Sequence, residues 1–183
     1  GTRSGSKGPF TWQNGRTNIA WGHGQDIYND GEPTLVAVDG EVPTFTADTK
    51  PLFSNGAQYD DVTQGEIGDC FFLSSLSAMT LRHPELTRNN IMHNADGTYS
   101  VKFFKEVAGQ PKAVVVTVKA TLPTLDDGSG PKRSYGTAPD DRESWVGLYE
   151  KAYATFVKGY DVLNEGGDEA DAMYALTGVK AES

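Results

Sequence analysis

Between positions 143 and 158 the residues Trp145, Leu148, Tyr149, Ala152, Tyr153 and Phe156 recur at the three- and four-residue spacing of one helical face. A stripe this broad predicts a helix laid on the core. Its aromatic members read as packing groups rather than a ligand box, with Trp145 and Tyr153 facing a second helix. That second helix is expected over residues 70–82, where the run from Phe71 to Leu81 is largely apolar. Pro84 is expected to end it, which leaves His83 at the C-terminal end of the helix dipole. Residues 168–176 predict a shorter helix stopped by Gly178. Two runs with partial alternation, 98–105 and 113–119, flank a turn containing Gly109 and predict a hairpin or two adjacent antiparallel strands. Residues 125–134 read as a polar loop.

Residues 1–44 are rich in Gly, Asn, Thr and Pro, with short apolar pieces at Phe10 to Trp12, Ile19 to Trp21 and Leu35 to Val38. Tryptophan favours burial, so this part is expected to pack on the core as an N-terminal extension of irregular structure with short strands. Residues 45–69 form the loop that leads to the Cys70 helix. The polar run Asp126-Asp127-Gly128-Ser129-Gly130 is similar to part of an EF-hand loop but lacks the closing Glu and the flanking helices, so it reads as an exposed turn.

Composition narrows the function. The 183 residues hold 25 acidic and 16 basic side chains, a formal charge of −9, and no basic run that would favour nucleic acid or an anionic membrane. No apolar stretch approaches the ~18 residues of a membrane span. The first eight residues contain neither an initiator Met nor an apolar signal core and read as a processed or added end. One cysteine excludes an internal disulfide framework and is compatible with a reducing compartment, so a cytoplasmic location is expected. Neither a glycine-rich phosphate loop nor a paired-Cys zinc motif occurs.

That single cysteine lies in Gln64-Gly65-Glu66-Ile67-Gly68-Asp69-Cys70-Phe71-Phe72-Leu73. Gly65 and Gly68 permit a tight turn, and Asp69 is a good helix cap, so Cys70 falls in the first helical turn. Unpaired N–H groups at a helix start favour a negatively charged, nucleophilic sulfur. Gln64 offers a side-chain amide that, with the Cys70 backbone N–H, could bind the oxyanion of an acyl-transfer intermediate. The bland alternative is a buried, inert thiol. A general base is harder to find. Only His23, His83 and His93 are present. His83 lies a full helix away from Cys70, roughly 20 Å at 1.5 Å per residue. His93 precedes the turn signature Asn94-Ala95-Asp96-Gly97 and reads as a solvated loop residue. His23, between Gly22 and Gly24, is left open.

The segment resembles the nucleophile motif of the calpain family of cysteine proteases, Gln-Gly-x-x-Gly-Asp-Cys, met here at Gln64, Gly65, Gly68, Asp69 and Cys70. A second block, Ser144-Trp145-Val146-Gly147-Leu148-Tyr149-Glu150-Lys151-Ala152-Tyr153-Ala154, resembles the same family's Trp-x-x-Leu-x-Glu-Lys-Ala-Tyr-Ala helix and continues through Gly159-Tyr160, Gly166-Gly167 and Leu176-Thr177-Gly178. The likeness covers about residues 45–183. It implies an α+β fold of the papain-like, calpain-type protease core, in its first, mainly helical, Cys-bearing half with a small antiparallel strand element. It also implies a cysteine endopeptidase acting on protein substrates through a Cys70 thioester, with the His and Asn supplied by a second core subdomain. Calpains hold Ca²⁺ in this first subdomain, and the resemblance carries its ligands onto the carbonyls of Ser54 and Gly56 and the carboxylates of Asp61 and Glu143, an all-oxygen set that suits a hard cation. The family often has an Arg where this chain has Tyr59, so the device aligning the two halves is altered here. The competing class is a non-catalytic module, calcium-responsive or protein-binding, built on a degenerate protease domain. Retention of Gln64 together with Cys70 favours the enzyme, because a scaffold needs neither a nucleophile nor an oxyanion donor at a helix start.

Overall fold

The computed structural model describes residues 23–28, 32–38, 40–53, 57, 62, 70–126, 128, 131–133, 135 and 143–180, with backbone alone described at 23–28 and 131–133. In chain order its elements are β1 (His23–Tyr28), β2 (Thr44–Ala47), α1 (Cys70–Arg82), α2 (Pro84–Asn89), β3 (Ile91–His93), β4 (Tyr99–Val107), β5 (Gln110–Val118), β6 (Thr121–Asp126), β7 (Pro131–Arg133), α3 (Trp145–Phe156), α4 (Tyr160–Asn164) and α5 (Glu169–Thr177). The fold is mixed α and β.

The expected hairpin is the spine of a four-stranded sheet ordered β1-β5-β4-β3. Strands β4 and β5 pair antiparallel from Tyr99 opposite Val118 to Val107 opposite Gln110. The two residues between them, Ala108 and Gly109, have φ of 54° and 78°. A two-residue turn with both φ positive matches the twist of the strands it joins, and Gly109 adopts it without a Cβ penalty. The register places Val101 opposite Val116 and Phe103 opposite Val114, and all four are buried in the core. Strand β1 adds to the far side of β5 in parallel, so part of the N-terminal segment belongs to the main sheet.

Helix α1 ends at Arg82 ahead of Pro84, as expected, and Pro84 stands in the first turn of α2. A proline there forgoes only an N–H that the helix could not use, and its fixed φ suits the first turn. Two other expectations need correction. In the stretch expected as a polar loop, residues 125, 126 and 131–133 are strand. There the end of β6 pairs antiparallel with β7, with Leu125 opposite Lys132, and β6 also pairs with β2 to give a second, three-stranded sheet. The half expected to be mainly helical therefore contains two sheets. His93 closes β3 instead of lying in a loop, with its ring stacked on Tyr99 at 4.3 Å between centroids.

Helix α3 runs through the centre of the molecule, and every residue from Trp145 to Ala154 is buried. Tyr153 meets α1 as expected, its ring stacked on Phe72 at 4.3 Å and edge-on to Phe71 at 6.4 Å. The ring partners of Trp145 are instead Phe53 at 6.0 Å and Tyr149 at 6.2 Å. Polar links complete the packing. The Tyr149 hydroxyl donates to the Thr87 carbonyl at 2.7 Å, and the Thr87 and Thr80 hydroxyls bond each other at 2.8 Å, which joins α3, α2 and α1. The Tyr135 hydroxyl donates to the Val36 carbonyl at 2.6 Å and accepts from the Val36 N–H at 3.0 Å. Helix α5 is bounded as predicted, with Asp168 capping the Ala170 N–H at 2.7 Å and Gly178 in the left-handed region at φ 75°.

Candidate active site

Cys70 is the first residue of α1, a free thiol open to solvent. The residues that follow explain why it stays there. Phe71, Phe72 and Leu73 are all buried, so the first turn of the helix is anchored through its apolar side while the sulfur faces outward. The Ser75 hydroxyl lies 2.9 Å from the Phe71 carbonyl and 3.2 Å from the Glu169 carbonyl, linking this turn to the start of α5. The opening N–H groups of an α-helix have no partner within it and point out of its end, next to the thiol. An exposed sulfur beside such donors can attack a carbonyl carbon while nearby N–H groups receive the oxygen's charge. Gln64 and the expected cap Asp69 lie outside the described residues.

The histidines are dispersed. His83 follows the last residue of α1, roughly 20 Å from Cys70 by helical rise. Its exposed ring sits 3.3 Å from a Glu85 carboxylate oxygen. His93 is engaged by Tyr99. His23 stands at the start of β1, opposite Ala113 of β5.

Of the expected calcium ligands, Ser54, Gly56 and Asp61 lie outside the described residues. Glu143 is within them, 4% exposed and one residue before the N-cap position of α3. The chain just ahead of Ser54 runs along this helix start. The Ser144 and Trp145 N–H groups donate to the Pro51 carbonyl at 3.0 Å and the Leu52 carbonyl at 3.2 Å, and the Ser144 hydroxyl donates to the Asp48 carboxylate. Buried Glu143 is thus next in the chain to residues bonded to the segment just ahead of Ser54. Among the described residues no three His, Cys, Asp or Glu side chains converge as a metal site. No described helix is long and apolar enough to cross a membrane.

A charged group that sequence reasoning missed sits deeper. The Lys151 ammonium is fully buried on α3 and donates to the Lys119 carbonyl at 3.0 Å, the Thr121 carbonyl at 2.8 Å and the Thr121 hydroxyl at 2.7 Å. It lies 2.8 Å from Glu32 and 4.8 Å above the Phe45 ring. Burial lowers its proton affinity below that of an ordinary lysine, while the Glu32 hydrogen bond and charge oppose the shift. A Glu150-Lys151 pair inside a largely apolar helical stretch was the available signal.

The family model described as calpain family cysteine protease matches residues 13–183. The chain is 35% identical over 150 residues to the calpain-type cysteine protease DEK1 of Arabidopsis thaliana, covering 79% of this chain and 6% of that protein. It is 33% identical over 136 residues to calpain-9 of Mus musculus, covering 73% of this chain and 19% of the relative. A third similar protein, the calpain-2 catalytic subunit of Bos taurus, is 28% identical over 150 residues, with 79% and 20% covered. The chain therefore spans a fifth or less of the length of these relatives. By the extent of the family match and by these identities, the chain belongs to the calpain family of cysteine proteases.

Proposed function

We propose that this chain is the nucleophile-bearing half of a calcium-dependent, calpain-like cysteine endopeptidase. The observation that carries the reading is the placement of Cys70, which is solvent-presented at the start of α1 in a chain of this family. In the proposed reaction the Cys70 sulfur attacks the scissile carbonyl carbon. Negative charge then develops on the carbonyl oxygen, where the Gln64 side-chain amide and the Cys70 backbone N–H donate hydrogen bonds. Collapse of this intermediate expels the amine as the peptide C–N bond breaks and leaves a thioester, which water hydrolyses. The proton removed from the thiol must reach the leaving amine, which requires an imidazole and a group to orient it. His83 and His93 are engaged elsewhere, and by resemblance to the family the His and Asn would come from a second core subdomain.

Calcium, when bound, would join two segments of the chain through oxygen ligands alone. The Glu143 and Asp61 carboxylates and the Ser54 and Gly56 carbonyls would hold it, a reading supported by the bonds that tie Pro51 and Leu52 to the start of α3, next to Glu143. The location proposed is the cytoplasm.

The test is hydrolysis of casein by a protein containing this chain and its following subdomain. Turnover with calcium is expected, with loss in excess chelator, and Cys70→Ala should lower it by about 10⁴-fold or more without unfolding the protein. The 183-residue chain by itself should show no turnover at any calcium concentration. Undiminished hydrolysis by Cys70→Ala would instead favour a non-catalytic role for this domain.

A further inference from the structure

The loop between α4 and α5 brings Gly167 against the residue next to Cys70. A Cβ at Gly167 would lie 2.8 Å from Cε2 and 2.9 Å from Cζ of the Phe71 ring, closer than side-chain carbons approach one another. The ring has little room to yield. Phe71 is 9% exposed and meets Tyr153 edge-on, and Tyr153 is itself stacked on Phe72. The Ser75 hydroxyl, within reach of both the Phe71 and Glu169 carbonyls, ties the same turn of α1 to the chain two residues beyond Gly167. Any side chain at position 167 must therefore push Phe71, and Phe71 is covalently joined to Cys70 within the first turn of the helix.

We infer that Gly167 is a positioning residue: its missing side chain makes room for the Phe71 ring, and this contact sets where the Cys70 sulfur stands. The inference rests on the reading of Cys70 as the nucleophile for its functional meaning, but the coupling itself is measurable without turnover. In the 183-residue chain, Gly167→Ala should move the Cys70 amide and Cβ resonances and change the rate of thiol alkylation severalfold. Phe71→Leu supplies the baseline for a cycle. Adding Gly167→Ala to Phe71→Leu should leave Cys70 where Phe71→Leu alone puts it, because the smaller side chain has vacated the gap. If Gly167→Ala alone fails to fold, the double variant is expected to fold. Gly178→Ala controls for general loosening, since it imposes a left-handed φ of 75° on alanine and places a Cβ 3.0 Å from Phe104 at the other end of α5. It should lower stability and leave the Cys70 resonances in place. An unmoved Cys70 in Gly167→Ala, equal displacement by Gly178→Ala, or a double variant that does not revert to the Phe71→Leu baseline would overturn the inference. Should Cys70 prove dispensable for hydrolysis while the coupling is observed, the nucleophile reading falls and the steric link stands.

Discussion

At the scale of single residues, Lys151 shows how a charge can occupy the middle of a protein. Its three donations to Lys119 and Thr121 and its contact with Glu32 replace the water it loses. Removing one member of such a pair costs more than the pair contributes, because the other is left uncompensated. Lys151→Ala should lower unfolding free energy by about 3 kcal/mol, and Lys151→Met by less, since Met keeps the aliphatic stem. Urea unfolding at neutral pH reads both. If Lys151→Ala is neutral, the buried network contributes nothing to the folded state. The pairing with Glu32 was not legible beforehand, because nothing near Glu32 in the chain marks it as the partner of a residue on α3. Cys70 was legible, since glycines, an expected cap and an apolar run mark a helix start around one thiol.

Among the elements, α3 is the one whose environment departs most from the sequence picture. The periodic stripe predicted one apolar face, yet the helix is covered on every side through Ala154. Its tyrosines record the consequence. Burial, with a smaller contribution from the Asp171 carboxylate, pushes the Tyr153 hydroxyl up to about 12, and burial alone pushes Tyr149 upward too. The sign follows directly. Above pH 10 the tyrosines of the unfolded chain lose protons while these two keep theirs, so the unfolded state binds fewer protons and stability falls as pH rises. Tyr153→Phe should flatten this fall by up to about 1.4 kcal/mol per pH unit between pH 10 and 12, measured by denaturant unfolding at a series of alkaline pH values. A slope that Tyr153→Phe leaves unchanged would show that its hydroxyl ionises equally in both states. The hairpin of β4 and β5 and the ends of α5 were readable because alternation, capping and glycine punctuation are local signals. Helix α2 and strand β6 were not. Each contains a proline, Pro84 opening α2 and Pro123 within β6, a residue that ordinarily interrupts helices and strands.

Across the whole molecule, the two sheets and the helices share one core, and the thiol is held at its surface by the rings of Phe71 and Phe72 packed on Tyr153. Residues well before the Cys70 motif take part in this body, since β1 pairs with β5 and Val36 is held by Tyr135. Parallel pairing of β1 with β5 is non-local and has no marker in the sequence, whereas family membership was legible from two blocks of matching residues in the right order. Under the proposed function this body supplies the nucleophile and another supplies the base. The most direct test is a peptidyl chloromethyl ketone applied to the calcium-loaded protein that hydrolyses casein, followed by peptide mapping of the adduct. One adduct per chain is expected, a new sulfur–carbon bond at Cys70 formed with loss of chloride, with hydrolysis lost in step with its formation. An adduct on another residue, or full hydrolysis with Cys70 alkylated, would contradict this expectation.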